Sequence, residues 1–170
     1  MLQEIRFQLP GVHDPLHVHQ RGLQILNNPW LNKGTSFTLE ERKSLGLSGL
    51  LPPYVANMEE QVQRVMENYR HHSDPLDKYV FLTGLADRNV TLFYRVLMEN
   101  LLEMTPIMYT PTVGHACQQF GHIYRKNRGM YITLRHKGRI AEVLDNWPKD
   151  EVDIIVISDG SRILGLGDLG

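Results

Sequence analysis

Gly129-Met130-Tyr131-Ile132-Thr133-Leu134, a short helical pattern over 139–144, and the run Val152-Asp153-Ile154-Ile155-Val156-Ile157 decide how this chain of 170 residues folds. β-Branched and aromatic residues over 130–134 predict a strand, and the apolar run over 152–157 predicts a second, more buried one. Strand, helix and apolar strand in that order open a βαβ unit, whose crossover builds a parallel sheet covered on both faces. Two strands leave much of that apolar surface uncovered, so more sheet is expected from elsewhere and the fold is expected to be incomplete within these residues.

Before Gly129 the periodicity is helical. Thr38 with Glu41, and Asn57 with Glu60, form capping-box pairs that open a short helix ending near Gly46 and a longer one reaching about His71. Met58, Val62, Val65, Met66 and Tyr69 recur at helical spacing in the longer one and read as core. Asp74-Pro75 supplies an N-cap and a first-turn proline for a helix over 75–85. A helix over 88–104 places Leu92, Val96, Leu97, Leu101 and Met104 on one side, with Pro106 as its stop. The pattern repeats over 112–124 through Val113, Ala116, Phe120 and Ile123, whereas 21–38 reads as loop. The expected architecture is therefore a flexible tail over 1–20, a helical domain over 21–126, and the start of an α/β domain over 127–170. In fold-class terms this is a mainly α N-terminal unit running into the first strands of an α/β parallel-sheet domain.

The hydrophobic content of 42% is enough for a real core, and a net charge of -1 with both signs interspersed argues against nucleic acid and an anionic membrane as partners. No stretch approaches the roughly 20 apolar residues of a membrane span. Residues 1–20 lack a secretory apolar core and an Arg/Ser-rich transit pattern, so no targeting peptide is visible. The single Cys117 falls on the apolar face of its helical pattern and reads as a small buried hydrophobe rather than a nucleophile. His13, His17 and His19, interrupted by Pro15, read as part of a solvated tail rather than a metal site.

Four features bear on chemistry. In Pro106-Ile107-Met108-Tyr109-Thr110-Pro111-Thr112-Val113-Gly114 two prolines bracket a tyrosine, and a phenol fixed by rigid backbone is a candidate proton donor once its pKa, ordinarily near 10, is tuned. Arg162 follows Asp159-Gly160-Ser161 just past the expected parallel strand, where open α/β sheets place ligands, and its forked donors suit a carboxylate. Gly165-Leu166-Gly167-Asp168-Leu169-Gly170 spells GxGxxG. Residues 159–164 separate it from the strand, so a glycine-rich substrate-site loop or turn is preferred to a phosphate cradle. Arg64 and Arg88, read alone, are solvated helix charges.

Asn32-Lys33-Gly34, Gly49-Leu50-Leu51-Pro52-Pro53, Asp87-Arg88-Asn89, Leu92-Phe93-Tyr94-Arg95, the Tyr109 to Gly114 motif, Asn146-Trp147-Pro148 and the string over 159–170 together resemble the N-terminal part of malic enzyme. The resemblance covers about 21–170. It implies oxidative decarboxylation of L-malate to pyruvate and carbon dioxide, with NAD or NADP accepting hydride and Mg or Mn holding the substrate. It implies a homo-oligomer, dimer or tetramer, assembled through the helical domain, and a place in the mitochondrial matrix or the cytoplasm. In that family the tyrosine matching Tyr109 is the general acid that protonates enolpyruvate, and the arginine matching Arg162 binds a malate carboxylate. The family's lysine base, acidic metal ligands and nucleotide-binding domain lie beyond Gly170, so no cofactor-binding or metal residue is expected in this segment, and the chain alone is expected to be inactive. Arginines matching Arg64 and Arg88 bind fumarate at a subunit interface in activated members. The glutamate that supports that allosteric site falls at Ala56 here, a departure from the pattern. The alternative reading is a non-catalytic helical binding or assembly module derived from a malic enzyme.

Overall fold

The computed structural model describes residues 4–5, 16–148, 152 and 154–168. It is mainly helical and divides into two compact units, Met1–Val113 and Gly114–Gly170. The first begins with a short antiparallel ladder, β1 (Glu4–Ile5) on β2 (Leu16–His17), and continues through α1 (Leu23–Leu26), a 3₁₀ turn at Gly34–Ser36 and α2 (Leu39–Ser44). Then come α3 (Met58–His71), α4 (Pro75–Ala86), α5 (Val90–Glu99) and α6 (Leu101–Met108).

Local chemistry fixes most of these helix starts. The Thr38 hydroxyl accepts from the Glu41 amide at 3.1 Å while the Glu41 carboxylate accepts from the Thr38 amide at 2.9 Å. Asn57 and Glu60 repeat the exchange at 2.8 Å in each direction. Asp74 accepts from the amides of Leu76 and Asp77 at 2.8 and 3.2 Å, and buried Asn89 accepts from the Leu92 amide at 2.9 Å. Each cap satisfies amides that the helix itself leaves without a partner.

The larger core lies among α3, α4, α5 and α6, where Val62, Val65, Met66 and Tyr69 meet Leu82, Leu85, Leu92, Phe93, Val96, Met104 and Ile107. A smaller core gathers Ile25, Leu31, Phe37, Leu45 and Leu47. Arg70 of α3 reaches Glu103 of α6 at 2.9 Å. The Arg70 hydrogen bond holds the Glu103 carboxyl below the usual glutamate range, against a smaller opposing effect of burial. A carboxyl depressed in the folded state stabilises the fold above its unfolded pKa and loses that stabilisation as pH falls. Both side chains are well solvated, so the pair is a weak contributor to stability. Glu103→Gln should therefore lower the urea midpoint slightly at neutral pH and leave it unchanged at a pH low enough to protonate the carboxyl in the folded state as well. An equal deficit at both pH values would show that the ion pair is not the cause.

Three expectations for this unit need correction. The helix expected over 88–104 is two helices parted at Asn100, whose backbone leaves the helical region (φ −126°, ψ 36°) and whose side chain donates to the Val96 carbonyl at 3.0 Å. Asparagine competes for backbone partners in this way and so breaks helices. The break turns Leu101, expected in the core, out to solvent. Pro106 does not stop the second helix, which runs on to Met108. The amide that proline lacks would have met the carbonyl of Leu102, a residue 94% exposed, so the loss falls where solvent is at hand rather than in the core. Finally, 21–38 is not wholly loop, since it holds α1 and the 3₁₀ turn.

The second unit takes in most of α7 (Thr112–Gln118), then α8 (Phe120–Ile123) and α9 (Ile140–Leu144). The helix expected over 112–124 is interrupted at Gln119, and Phe120 and Cys117, both expected on a buried face, are exposed. The strands expected over 130–134 and 152–157 are not present among the described residues. Residues 130–133 are irregular, 134–136 form a 3₁₀ turn, and Ile154, Ile155, Val156 and Ile157 are irregular and exposed. A strand exists through the ladder it shares with a neighbour, and none of the described residues offers one to these runs.

Candidate functional site

Tyr109 is the C-cap of α6. Its amide donates to the Thr105 carbonyl at 2.8 Å and its carbonyl accepts from the Val113 amide at 2.9 Å, so the residue closes one helix and opens the next. Ile107 and Met104, buried in the larger core, anchor the helix from which it projects. The Thr110-Pro111 bond is cis and Thr112 is buried. The side chain itself is 56% exposed. The result is a phenol presented to solvent from a backbone hydrogen-bonded on both sides.

Arg162 lies in the second unit, after a compact turn. The Asp159 carboxylate accepts from the Ser161 hydroxyl at 2.7 Å and from its amide at 3.0 Å, while the Ser158 hydroxyl accepts from the Gly160 amide at 2.9 Å. The bond from the Ser161 hydroxyl, followed by that from its amide, holds the Asp159 carboxyl below its ordinary range. Gly160 supplies the positive φ, 77°, on which the turn depends. Arg162 leaves the turn exposed.

Beyond it the chain closes on itself. The Ile163 amide donates to the Gly167 carbonyl at 2.8 Å around a 3₁₀ turn, Leu164–Leu166. Leu166 packs on α7 so closely that a Cβ on Gly114 would lie 2.7 Å from its methyl carbon, which explains a glycine inside that helix. Over 164–168 the glycine motif is thus a turn seated on a helix; its last glycine, Gly170, lies outside the described residues.

Arg64 and Arg88 are both exposed and both adjoin the loop 32–36. Arg64 donates to the Thr35 hydroxyl at 3.3 Å. The Arg88 carbonyl accepts from the Asn32 side chain at 3.0 Å, and its guanidinium donates to the Gly84 carbonyl at 3.1 Å. Between them Gly34, at φ +59°, passes so near α3 that a Cβ would stand 2.7 Å from the Gln61 carboxamide oxygen. Sequence reasoning saw Asn32-Lys33-Gly34 as a turn and as one of the motifs of the malic enzyme resemblance, and missed Thr35 and Gln61, which no motif marks. Among the described residues no group of three or more His, Cys, Asp or Glu could hold a metal ion, and His13 lies outside them. The structure thus gathers Arg64 and Arg88 at one loop, while Tyr109 and Arg162 belong to different units.

The family model for the malic enzyme N-terminal domain matches residues 86–170, a span that contains both Tyr109 and Arg162. The chain belongs to the malic enzyme family. It is 53% identical over 154 residues to a human NADP-dependent malic enzyme, covering 91% of this chain and 27% of that protein. Against a NADP-dependent malic enzyme of Dictyostelium discoideum the identity is 56% over 146 residues, 86% of this chain and 27% of the relative. A mitochondrial NAD-dependent malic enzyme of Solanum tuberosum is 49% identical over 168 residues, again with 27% of its length covered. The chain therefore spans about a quarter of the length of these malic enzymes.

Proposed function

We propose that this chain supplies the N-terminal part of an NAD(P)-dependent malic enzyme, which converts L-malate to pyruvate and carbon dioxide. The observation that carries the reading is the family match over 86–170. When bound, a nicotinamide would supply hydride acceptance and a divalent cation, Mg or Mn, would hold the substrate. No described residue is assigned to either group. Arg162 pairs with a malate carboxylate through its forked donors. Loss of carbon dioxide leaves enolpyruvate, and Tyr109 delivers the proton that forms the methyl group of pyruvate, after which the phenolate is reprotonated from solvent. The native polypeptide carrying this segment should form NADH or NADPH in step with malate consumed and pyruvate made. Absence of malate-dependent reduction with both nucleotides would leave the non-catalytic assembly module as the better account.

Assembly as a homo-oligomer through the helical domain belongs to the same reading. Tyr94, Met98, Leu101 and Leu102 form an exposed apolar stripe along α5 and α6, bordered by the Arg95–Glu99 and Arg70–Glu103 ion pairs. Each pair carries both signs, so a second copy related by a two-fold axis is able to meet opposite charge. Leu102→Glu is expected to lower the sedimentation mass to that of the monomer, and an unchanged mass would place the interface elsewhere. The polypeptide is proposed to work in the mitochondrial matrix or the cytoplasm, and among the described residues no helix is long and apolar enough to cross a membrane. Arg64 and Arg88 are proposed to bind a dicarboxylate effector of the fumarate type. Ala56 weighs against a full copy of that site, because its buried methyl group offers no carboxylate where activated members have glutamate.

A further inference from the structure

Arg42 is 5% exposed, and among the described residues its partners are backbone oxygens rather than carboxylates. Its Nε donates to the Phe37 carbonyl at 2.9 Å and one terminal nitrogen to the Pro52 carbonyl at 2.6 Å. The other terminal nitrogen donates to the carbonyls of Thr35 and Tyr54, each at 3.0 Å. One rigid fork thus joins two separate loops, 35–37 and 52–54, and the partial charges of four carbonyls replace the water that a buried guanidinium has lost. Lysine cannot reproduce this, since its three donors radiate from a single atom.

The same loop carries the contacts of both candidate effector arginines. The Thr35 carbonyl that receives Arg42 also receives the Ala56 amide at 3.2 Å, and the Thr35 hydroxyl receives Arg64. Next to it the Ser36 hydroxyl accepts from Gln61 of α3 at 2.6 Å, and at the loop's start Asn32 donates to the Arg88 carbonyl. We propose that Arg42 is a positioning residue: it locks the loop 32–37 in place and thereby sets the reach of Arg64 and Arg88 toward an anion. The effector half of this proposal rests on reading that pair as a dicarboxylate site.

Hydrogen exchange on the full chain, with and without Arg42→Lys, tests it. The Ala56 and Ser36 amides should exchange about tenfold or more faster in the variant, while amides of α4 and α5 keep their protection. Fumarate, used as the probe, should bind the variant about fivefold more weakly. In the unaltered chain the Arg42 Nε proton should exchange more slowly than those of exposed Arg64 and Arg88, a measurement that needs no variant. Uniform loss of protection through α4 and α5 would make Arg42 a general stability residue and overturn the proposal, as would unchanged exchange at Ala56 or a fast-exchanging Nε proton. If the unaltered chain binds no fumarate, the effector reading fails by itself, and the exchange results still decide whether Arg42 locks the loop.

Discussion

Tyr109→Phe, placed in the native polypeptide that carries this segment, is expected to lower kcat for pyruvate formation by about 10²–10⁴ with little change in KM for malate. The substitution removes one oxygen and leaves the ring. The α6 to α7 junction should survive, because it is held by the backbone bonds to Thr105 and Val113 rather than by the phenol. Hydride transfer and decarboxylation precede the lost proton, so the rate-limiting step should move to protonation. Deuterium at C2 of malate should then slow the variant less than the parent, and heavy water should slow it more. A kcat within about threefold of the parent, with unchanged isotope effects, would remove Tyr109 from the proton path.

Leu82→Ala should lower the stability of the first unit by about 2–5 kcal/mol. Leu82 is fully buried, in the core where α3, α4, α5 and α6 meet. Truncation removes its transfer free energy and leaves a cavity that helices capped at fixed positions are poorly placed to close. The urea midpoint should fall with the slope unchanged. Leu39→Ala, at the exposed start of α2, should move it by less than about 0.5 kcal/mol, which makes the pair an internal control. A Leu82→Ala cost near that of Leu39→Ala would mean that the bundle repacks freely.

The helical part was legible because its signals are local. A capping box is complete within four residues, and those at Thr38 and Asn57, together with the Asp74 cap, appear in the structure where the spacing puts them. The buried stripe of α3 follows the 3.6-residue period for the same reason. Asn100 and Pro106 were misread because each exerts a weak local bias that its surroundings decide, through the Val96 carbonyl in one case and the exposure of Leu102 in the other. Strands over 130–134 and 152–157 depend on a partner that the pattern of one run cannot supply. As candidates, Tyr109 and Arg162 were singled out through the motifs around them. Arg42 was not, since an arginine on an amphipathic helix looks solvated until its loop contacts are seen.

Every residue of the larger core lies between Met58 and Met108, on helices that follow one another in sequence. Bringing neighbouring helices together closes only short loops, so the entropic barrier to collapse is small and such bundles form in microseconds to milliseconds. With starts marked by the local caps at Asn57, Asp74 and Asn89, the stretch 57–108 is expected to fold without waiting for distant chain. A ribosome that has released residues 57–108 has already supplied all the chain this bundle needs, and Tyr109 is the next residue to emerge from it.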